Sequence, residues 1–314
     1  TQVPSHGGDP KPKESSPGAT ANQPPTAAPG TLTNRMRHYG HAIGQILVNA
    51  GPVRLLSELP GNVGDHLIWA GSERLLDGIG IRYEHLPLDT LASNRSSLGG
   101  TLVVPGSGAM TLRWHERLPE AVATAADRFE RVLILPSEFE PRVPVVREAL
   151  ARQNVFALAR DATSFGRAKR FGRSALALDP AVFAFDFLPW EGAPDTDEHR
   201  SGTLIALRTD VGSVLPERGL QPCVGNDDIS LTRTNLNELL NAIREALVVV
   251  TDRLHVALAA VMLGKTVRYI DPHEDKISRH FGFHFRDSLQ DQVQIRDASW
   301  LVAHGYATRS KEHV

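Results

Sequence analysis

The stretch LVVVTDRLHVALAAVMLGKTVRYID, residues 247–271, decides the fold. Its first four residues are an apolar run too short for a helix and read as a buried strand. A greasy helix follows over 253–263, closed by Gly264, and residues 266–270 read as the return strand. Strand, helix and strand, apolar throughout, is the unit of a parallel sheet covered on both faces. The helix mouth is different: it carries Thr251, Asp252, Arg253 and His255, and Lys276 comes 21 positions after the histidine. Thr251 or Asp252 is placed to cap the helix, with Arg253 in its first turn and His255 near its third position. Free backbone N–H groups and the macrodipole make such a terminus attractive to carboxylate or phosphate, and Arg253 adds a fork of donors. A cation there opposes the dipole by roughly 0.3–1 kcal/mol, which points to an anionic guest. The competing reading pairs Arg253 with Asp252 or a surface acid and makes His255 a hydrogen-bonded core histidine.

The same alternation runs outward in both directions. Residues 53–59, 81–88, 101–104, 131–135, 154–159, 174–178 and 203–207 read as short strands, most of them ending in Gly, Ser, Asp or Arg. Between the first two, Leu67, Ile68, Leu75 and Leu76 form a helical stripe closed by Gly78, with Asp65 as the expected N-cap. Residues 235–246 read as an amphipathic helix. The Pro-, Gly- and acid-rich segment 189–202 reads as a domain boundary. The expected architecture is α/β, with two doubly wound Rossmann-like domains, 35–195 and 196–314, facing a central cleft. Ligands belong at the carboxyl ends of the strands. Residues 1–34, rich in Pro, Gly, Ser, Thr and Ala, read as a disordered tail or linker. The chain opens on Thr1, as a fragment or processed form would.

Composition excludes several function classes. Over 314 residues the net charge is −2, so no global basic field recruits nucleic acid. The one cysteine rules out a disulfide framework and a multi-cysteine zinc site. No apolar run approaches the roughly 20 residues of a membrane-spanning helix, and no signal peptide is evident. A cytoplasmic enzyme is the expectation. His280 and His284 are four apart, yet without H-E-x-x-H or cysteine support no metal is expected.

Two glycine-containing turns follow strands. Residues 60–66, PGNVGDH, bring Asn62, Gly64 and Asp65 to a helix start, without a P-loop lysine or a dinucleotide fingerprint. Residues 105–110, PGSGAM, offer Gly106, Ser107 and Gly108; Pro105 stands where a nucleophile elbow needs glycine, so a backbone N–H surface facing the cleft is expected instead. Arg160 follows a strand in ARDATS, and Arg208 with Asp210 repeats the arrangement in LRTD. Each such pair is an ordinary structural ion pair by itself; their convergence on one cleft would be the informative feature.

Together these segments resemble the polysaccharide pyruvyltransferase family. LPGNVGDHLIWAG is similar to its N-x-G-D segment, FALARDATS to its aromatic–x–x–R-D–x–x–S segment, LIALRTD to an R-x-D strand end, and VVVTDRLHVALAAVMLGKTVRYID to its T/S-x-R-L-H helix. VVPGSGAM stands where the family has a glycine-rich turn, with Gly-Ser-Gly-Ala in place of the usual third glycine and asparagine. The resemblance implies a fold like that of two-domain (GT-B) glycosyltransferases. It also implies transfer of pyruvate from phosphoenolpyruvate to two sugar hydroxyls, giving a cyclic ketal. Arg160, Arg253 and Lys276 would bind the donor, His255 would be the acid/base, and Asn62 and Asp65 would lie on the acceptor side. The donor is a co-substrate, and no cofactor is implied. The acceptor would be a glycan or lipid-linked saccharide, met in the cytoplasm or peripherally at the inner membrane face. The alternatives are a nucleotide-sugar glycosyltransferase of similar architecture and a non-catalytic glycan-binding member.

Overall fold

The computed structural model describes residues 31–93, 96–111, 117–185, 202–271, 276–285 and 292–310. The order of elements is α1 (Leu32–Leu47), β1 (Val53–Ser57), α2 (Val63–Gly78), β2 (Glu84–Pro87), α3 (Leu88–Ser93), β3 (Thr101–Val104), α4 (Arg117–Ala125), β4 (Arg131–Ser137), α5 (Pro144–Ala151), β5 (Val155–Ala159), α6 (Ala162–Ala168) and β6 (Arg173–Leu176). A 3₁₀ turn, Pro180–Ala184, closes this first half. Then come β7 (Thr203–Ala206), β8 (Leu220–Pro222), α7 (Ile229–Thr232), α8 (Leu236–Glu245), β9 (Val248–Thr251), α9 (Leu254–Met262), β10 (Thr266–Ile270), α10 (Lys276–His284), β11 (Val293–Arg296), α11 (Ala298–Ala303) and β12 (Ala307–Arg309).

The fold is mixed α/β and Rossmann-like, with two parallel sheets. The first has six strands in the order β2-β1-β3-β4-β5-β6, and the second four in the order β11-β10-β9-β7; β8 and β12 form a separate antiparallel pair. Period-two alternation assigns the faces of the first sheet. Leu55, Val103, Leu133 and Leu135 enter one core, while Leu56, Leu102, Val104, Val132 and Ile134 enter another, beneath α4 and α5. The first of these cores runs without a break into the second sheet, through α2, the 3₁₀ turn, α8 and α9. That continuity explains the greasy helix: α9 has Val256, Ala257, Leu258, Ala259, Ala260 and Val261 all buried, because it is wedged between the second sheet and α2. The far face of the second sheet packs Leu207, Val250 and Ile270 on Leu301 of α11.

Several expected boundaries move. The strand expected over 53–59 stops at Ser57, because Glu58 turns left-handed at φ 55°. The strand expected over 81–88 forms only from Glu84 to Pro87, and Leu88 already opens α3. The strand expected from 247 runs from Val248 to Thr251. α1 begins at Leu32, capped by Thr31, before the point where the tail was expected to end. Its buried Arg35 donates to the carbonyls of His284 and Phe283, tying the first helix to α10. The boundary segment expected over 189–202 lies, apart from Gly202, outside the described residues. Among the described residues no helix is long and apolar enough to cross a membrane.

Candidate functional site

The strand order of the first sheet reverses between β1 and β3, and in doubly wound sheets ligands bind in the crevice at such a reversal. The two glycine-containing turns, after β1 and after β3, flank it. The first turn starts α2 with a capping box. Asn62 is the N-cap, its side chain accepting from Gly64 N at 2.9 Å, and Asp65 accepts in return from Asn62 N at 3.0 Å. Asp65 was expected as the cap; it is the third helical residue instead, which leaves its second oxygen free to face across the crevice. Gly64 permits a close approach there. A Cβ on it would lie 3.2 Å from Ser230 Oγ and 3.6 Å from His255 Cβ, so the start of α2 sits against the start of α9.

The turn at α9 corrects three expectations. The N-cap is Arg253, with no side-chain cap bond. Neither Thr251 nor Asp252 caps the helix: Thr251 Oγ1 accepts from Arg253 N at 3.0 Å and donates to Ala206 O at 2.7 Å, bracing β9 on β7. Third, the Arg253 fork is already filled. Its Nε bonds Asp228 Oδ1, and its Nη2 donates to Asp228 Oδ2 at 2.6 Å and Asp210 Oδ2 at 2.9 Å. Arg208 closes on the same Asp210 at 2.9 and 3.0 Å. Burial would raise the Asp210 carboxyl, but Arg208 and Arg253 bring it down to about 2. The partners of Arg253 are thus buried or half-buried acids, one just past β7 and one at the N-cap of α7, not the adjacent Asp252.

Asp252 pays for this crowding differently. It is 2 % exposed; Oδ1 accepts from Arg208 N at 2.7 Å, and Oδ2 has no hydrogen-bond partner. Burial therefore raises its carboxyl to about 6, against partial relief from Arg208 and Arg253. The native state holds a proton that the unfolded chain has lost between about pH 4 and pH 6. Stability from this group consequently falls as pH rises through that window and levels off above it. Asp252→Asn is expected to match the parent at pH 4 and to exceed it by roughly 2–3 kcal/mol at pH 8 in urea denaturation. A variant less stable than the parent at pH 8 would refute this.

Arg160, at the carboxyl end of β5, is also buried and paired. Its Nη2 donates to Glu138 Oε2 at 3.0 Å and its Nη1 to Asp179 Oδ2 at 3.5 Å. The PGSGAM turn lies alongside, since a Cβ on Gly108 would sit 3.6 Å from Arg160 Nη2. That turn is not an open N–H surface. Ser107 N donates to Ser137 Oγ, and Ala109 N donates to Ser107 Oγ, so two of its donors and the serine hydroxyl are engaged. Gly106 is hemmed in by Pro136, Pro180 and Ile68. Lys276 opens α10, and its side chain lies outside the described residues.

His255 stands where the two halves meet. Its Nδ1 is 3.9 Å from Asp65 Oδ1 of α2, and its Nε2 is 3.6 Å from Asp179 Oδ2, just beyond β6. The side chain is 12 % exposed. Asp179, fully buried, was missed in the sequence, where LDP read only as a strand-ending turn; so were Glu138 and Asp228. Burial alone would raise the Asp179 carboxyl, but His255, Arg160 and His280 hold it well below the usual range. His280 and His284 stack at 3.9 Å. Both nitrogens of His284 are spent, Nε2 accepting from Asp179 N at 2.6 Å and Nδ1 bonding His280 O at 2.7 Å. Among the described residues no cluster of three His, Cys, Asp or Glu side chains could hold a metal. Two cavities, of about 590 Å³ at the amino ends of β3 to β5 and about 460 Å³ beside Trp300, lie away from His255.

The fold is similar to that in a crystal structure of a functionally uncharacterized protein from Klebsiella pneumoniae subsp. pneumoniae NTUH-K2044. The TM-score is 0.65 at 19% identity, over 84% of this chain and 99% of that one. No curated protein matches the chain. The sequence profile of the polysaccharide pyruvyl transferase family matches residues 62–274, from the capping asparagine of α2 to just beyond β10. That match takes in Asp65, Arg160, Asp179, Arg253 and His255, and covers well over half of the sequence: the chain belongs to the polysaccharide pyruvyl transferase family.

Proposed function

We propose that this protein moves the pyruvyl group of phosphoenolpyruvate onto two hydroxyls of one sugar in a glycan or lipid-linked saccharide, forming a cyclic ketal and releasing phosphate. The observation that carries this reading is His255, inside the family match, held at the start of α9 between the carboxylates of Asp65 and Asp179 from the first half of the chain. In the reaction the methylene carbon of the enolpyruvate takes a proton, and a sugar hydroxyl adds to the resulting oxocarbenium-like centre and gives up its own proton. Phosphate leaves with its C–O bond pair, and the second hydroxyl closes the ring, its proton passing to a base. An imidazole can give a proton from one ring nitrogen and take one at the other, so it suits both directions of transfer, worth typically ~10²–10⁴-fold.

In this reading Arg160, Arg253 and Lys276 hold the donor, and the two halves form the glycosyltransferase-like pair around it. Because Arg160 and Arg253 already carry carboxylates, the donor's anionic groups must share or displace Glu138, Asp179, Asp210 and Asp228. Those filled forks are also what favours the second reading, a glycan-binding member without transfer activity. Incubation with phosphoenolpyruvate and candidate glycans, followed by mass spectrometry for an added pyruvate ketal and by phosphate assay, separates the two. Glycan binding without phosphate release from any acceptor would support the second. Thermal protection by nucleoside diphosphates but not by phosphoenolpyruvate would instead indicate a glycosyltransferase.

A further inference from the structure

We infer that Asp179 is the positioning residue for His255: it holds the imidazole with its hydrogen on Nε2 and leaves Nδ1, on the Asp65 side, as the nitrogen that exchanges a proton with substrate. The inference deepens the proposed function and rests on it only for the role of His255 as acid/base.

Asp179 is fixed before it meets any imidazole. It caps the 3₁₀ turn, its Oδ1 accepting from Ala181 N at 3.0 Å, and its own N–H is taken by His284 Nε2. Oδ2 is left facing three nitrogens, Arg160 Nη1 at 3.5 Å, His255 Nε2 at 3.6 Å and His280 Nε2 at 3.8 Å. Arg160 reaches it with a long hydrogen bond, and the two imidazole nitrogens stay just beyond hydrogen-bond distance. The two deeper imidazoles do not titrate with the chemistry. His284 uses Nε2 as an acceptor and Nδ1 as a donor, so it is neutral in this arrangement, and burial lowers it to about 4. Burial lowers His280 well below its ordinary value too, with His284 next to it adding to the effect.

His255 is the partly exposed member of the three. Its Nε2 is sealed and has no hydrogen-bond partner, with the Asp179 carboxylate as the nearest acceptor. A bare nitrogen lone pair against that carboxylate would be repelled, so the Nε2–H tautomer is the favoured neutral form. On the other side, Asp65 has one oxygen bound to Asn62 N and the other 3.9 Å from Nδ1, and its side chain is 29% exposed. Nδ1 therefore faces the partly exposed Asp65 at the start of α2, beside the turn that follows β1. Among the described residues, the charged or titratable groups around the ring are Asp179, Asp65, His280, Arg160 and, behind Arg160, Glu138.

The test is ¹⁵N NMR of protein labelled in histidine, with kinetics alongside. The intact chain should show a protonated Nε2 and an unprotonated Nδ1 for His255 in its neutral form. In Asp179→Asn that tautomer preference should be lost, because the carboxylate that disfavours a bare Nε2 lone pair is gone. Turnover should fall by ~10²-fold or more. Asp65→Asn should leave the Nε2–H tautomer in place, which keeps the question open to measurement if Asp179→Asn fails to fold. A neutral His255 protonated on Nδ1 in the intact chain, or an unchanged tautomer in folded Asp179→Asn, would overturn the inference. The spectra need no substrate, so the expected tautomer without any pyruvyl transfer would sink the proposed function and leave the positioning role standing.

Discussion

His255→Ala is expected to abolish pyruvyl transfer, lowering turnover by at least ~10²–10⁴-fold, and to leave the fold intact. The two halves of that expectation have different grounds. The chemical half follows from the supply of proton carriers among the described residues: Asp179 is held ionised and His280 and His284 are held neutral and buried, which leaves the partly exposed His255 imidazole as the ring placed to exchange a proton with substrate. The structural half follows from its position on α9. The core residues of that helix run from Val256 to Val261, and the imidazole lies outside them at the helix mouth. Its removal takes one of three donors from Asp179 and leaves Arg160 in place. Circular dichroism and a melting curve check the fold; turnover with phosphoenolpyruvate and a competent acceptor checks the chemistry. Normal turnover in a folded variant would remove the catalytic assignment.

Gly71→Ala is expected to be the most destabilising methyl group that can be added near the site. Helix propensity alone predicts the opposite, since alanine is favoured over glycine in a helix interior by roughly 0.5–1 kcal/mol. Packing reverses the sign. A Cβ on Gly71 would lie 1.9 Å from the carbonyl oxygen of Pro180 and 2.6 Å from its carbon, both backbone atoms that no rotamer change can move aside. α2 and the 3₁₀ turn must separate, at a cost of about 3 kcal/mol or more. For a domain of this size that is roughly 6–12 °C in melting temperature. Pro180 follows Asp179 directly, so the same displacement pulls the carboxylate away from His255. Turnover per folded molecule should drop as well. A melting temperature equal to or above the parent's would show that the close approach of α2 to the turn is wrong.

What could be read in the amino-acid order was whatever depends on near neighbours. The apolar runs ending in polar residues marked the strands, and Gly264, at φ 72°, closed α9 where expected. The R-L-H segment and its strands marked the family. Errors at this level were local too: Asp65 and Asn62 are both good capping residues, and only the backbone angle at Asn62 makes it the cap. Which charges meet was decided by the tertiary structure. Among its sequence neighbours Arg253 finds only Asp252, whereas strand order β7 beside β9 brings Asp210 to it from 43 residues away and the start of α7 brings Asp228 from 25. Arg160 finds Asp179 by the same route, across β5 and β6. Periodicity follows from the geometry of one element and is written in consecutive residues. The ionisation and orientation of a group depend on what other strands deliver within about 4 Å of it, and chain order carries no record of that until the sheet is assembled.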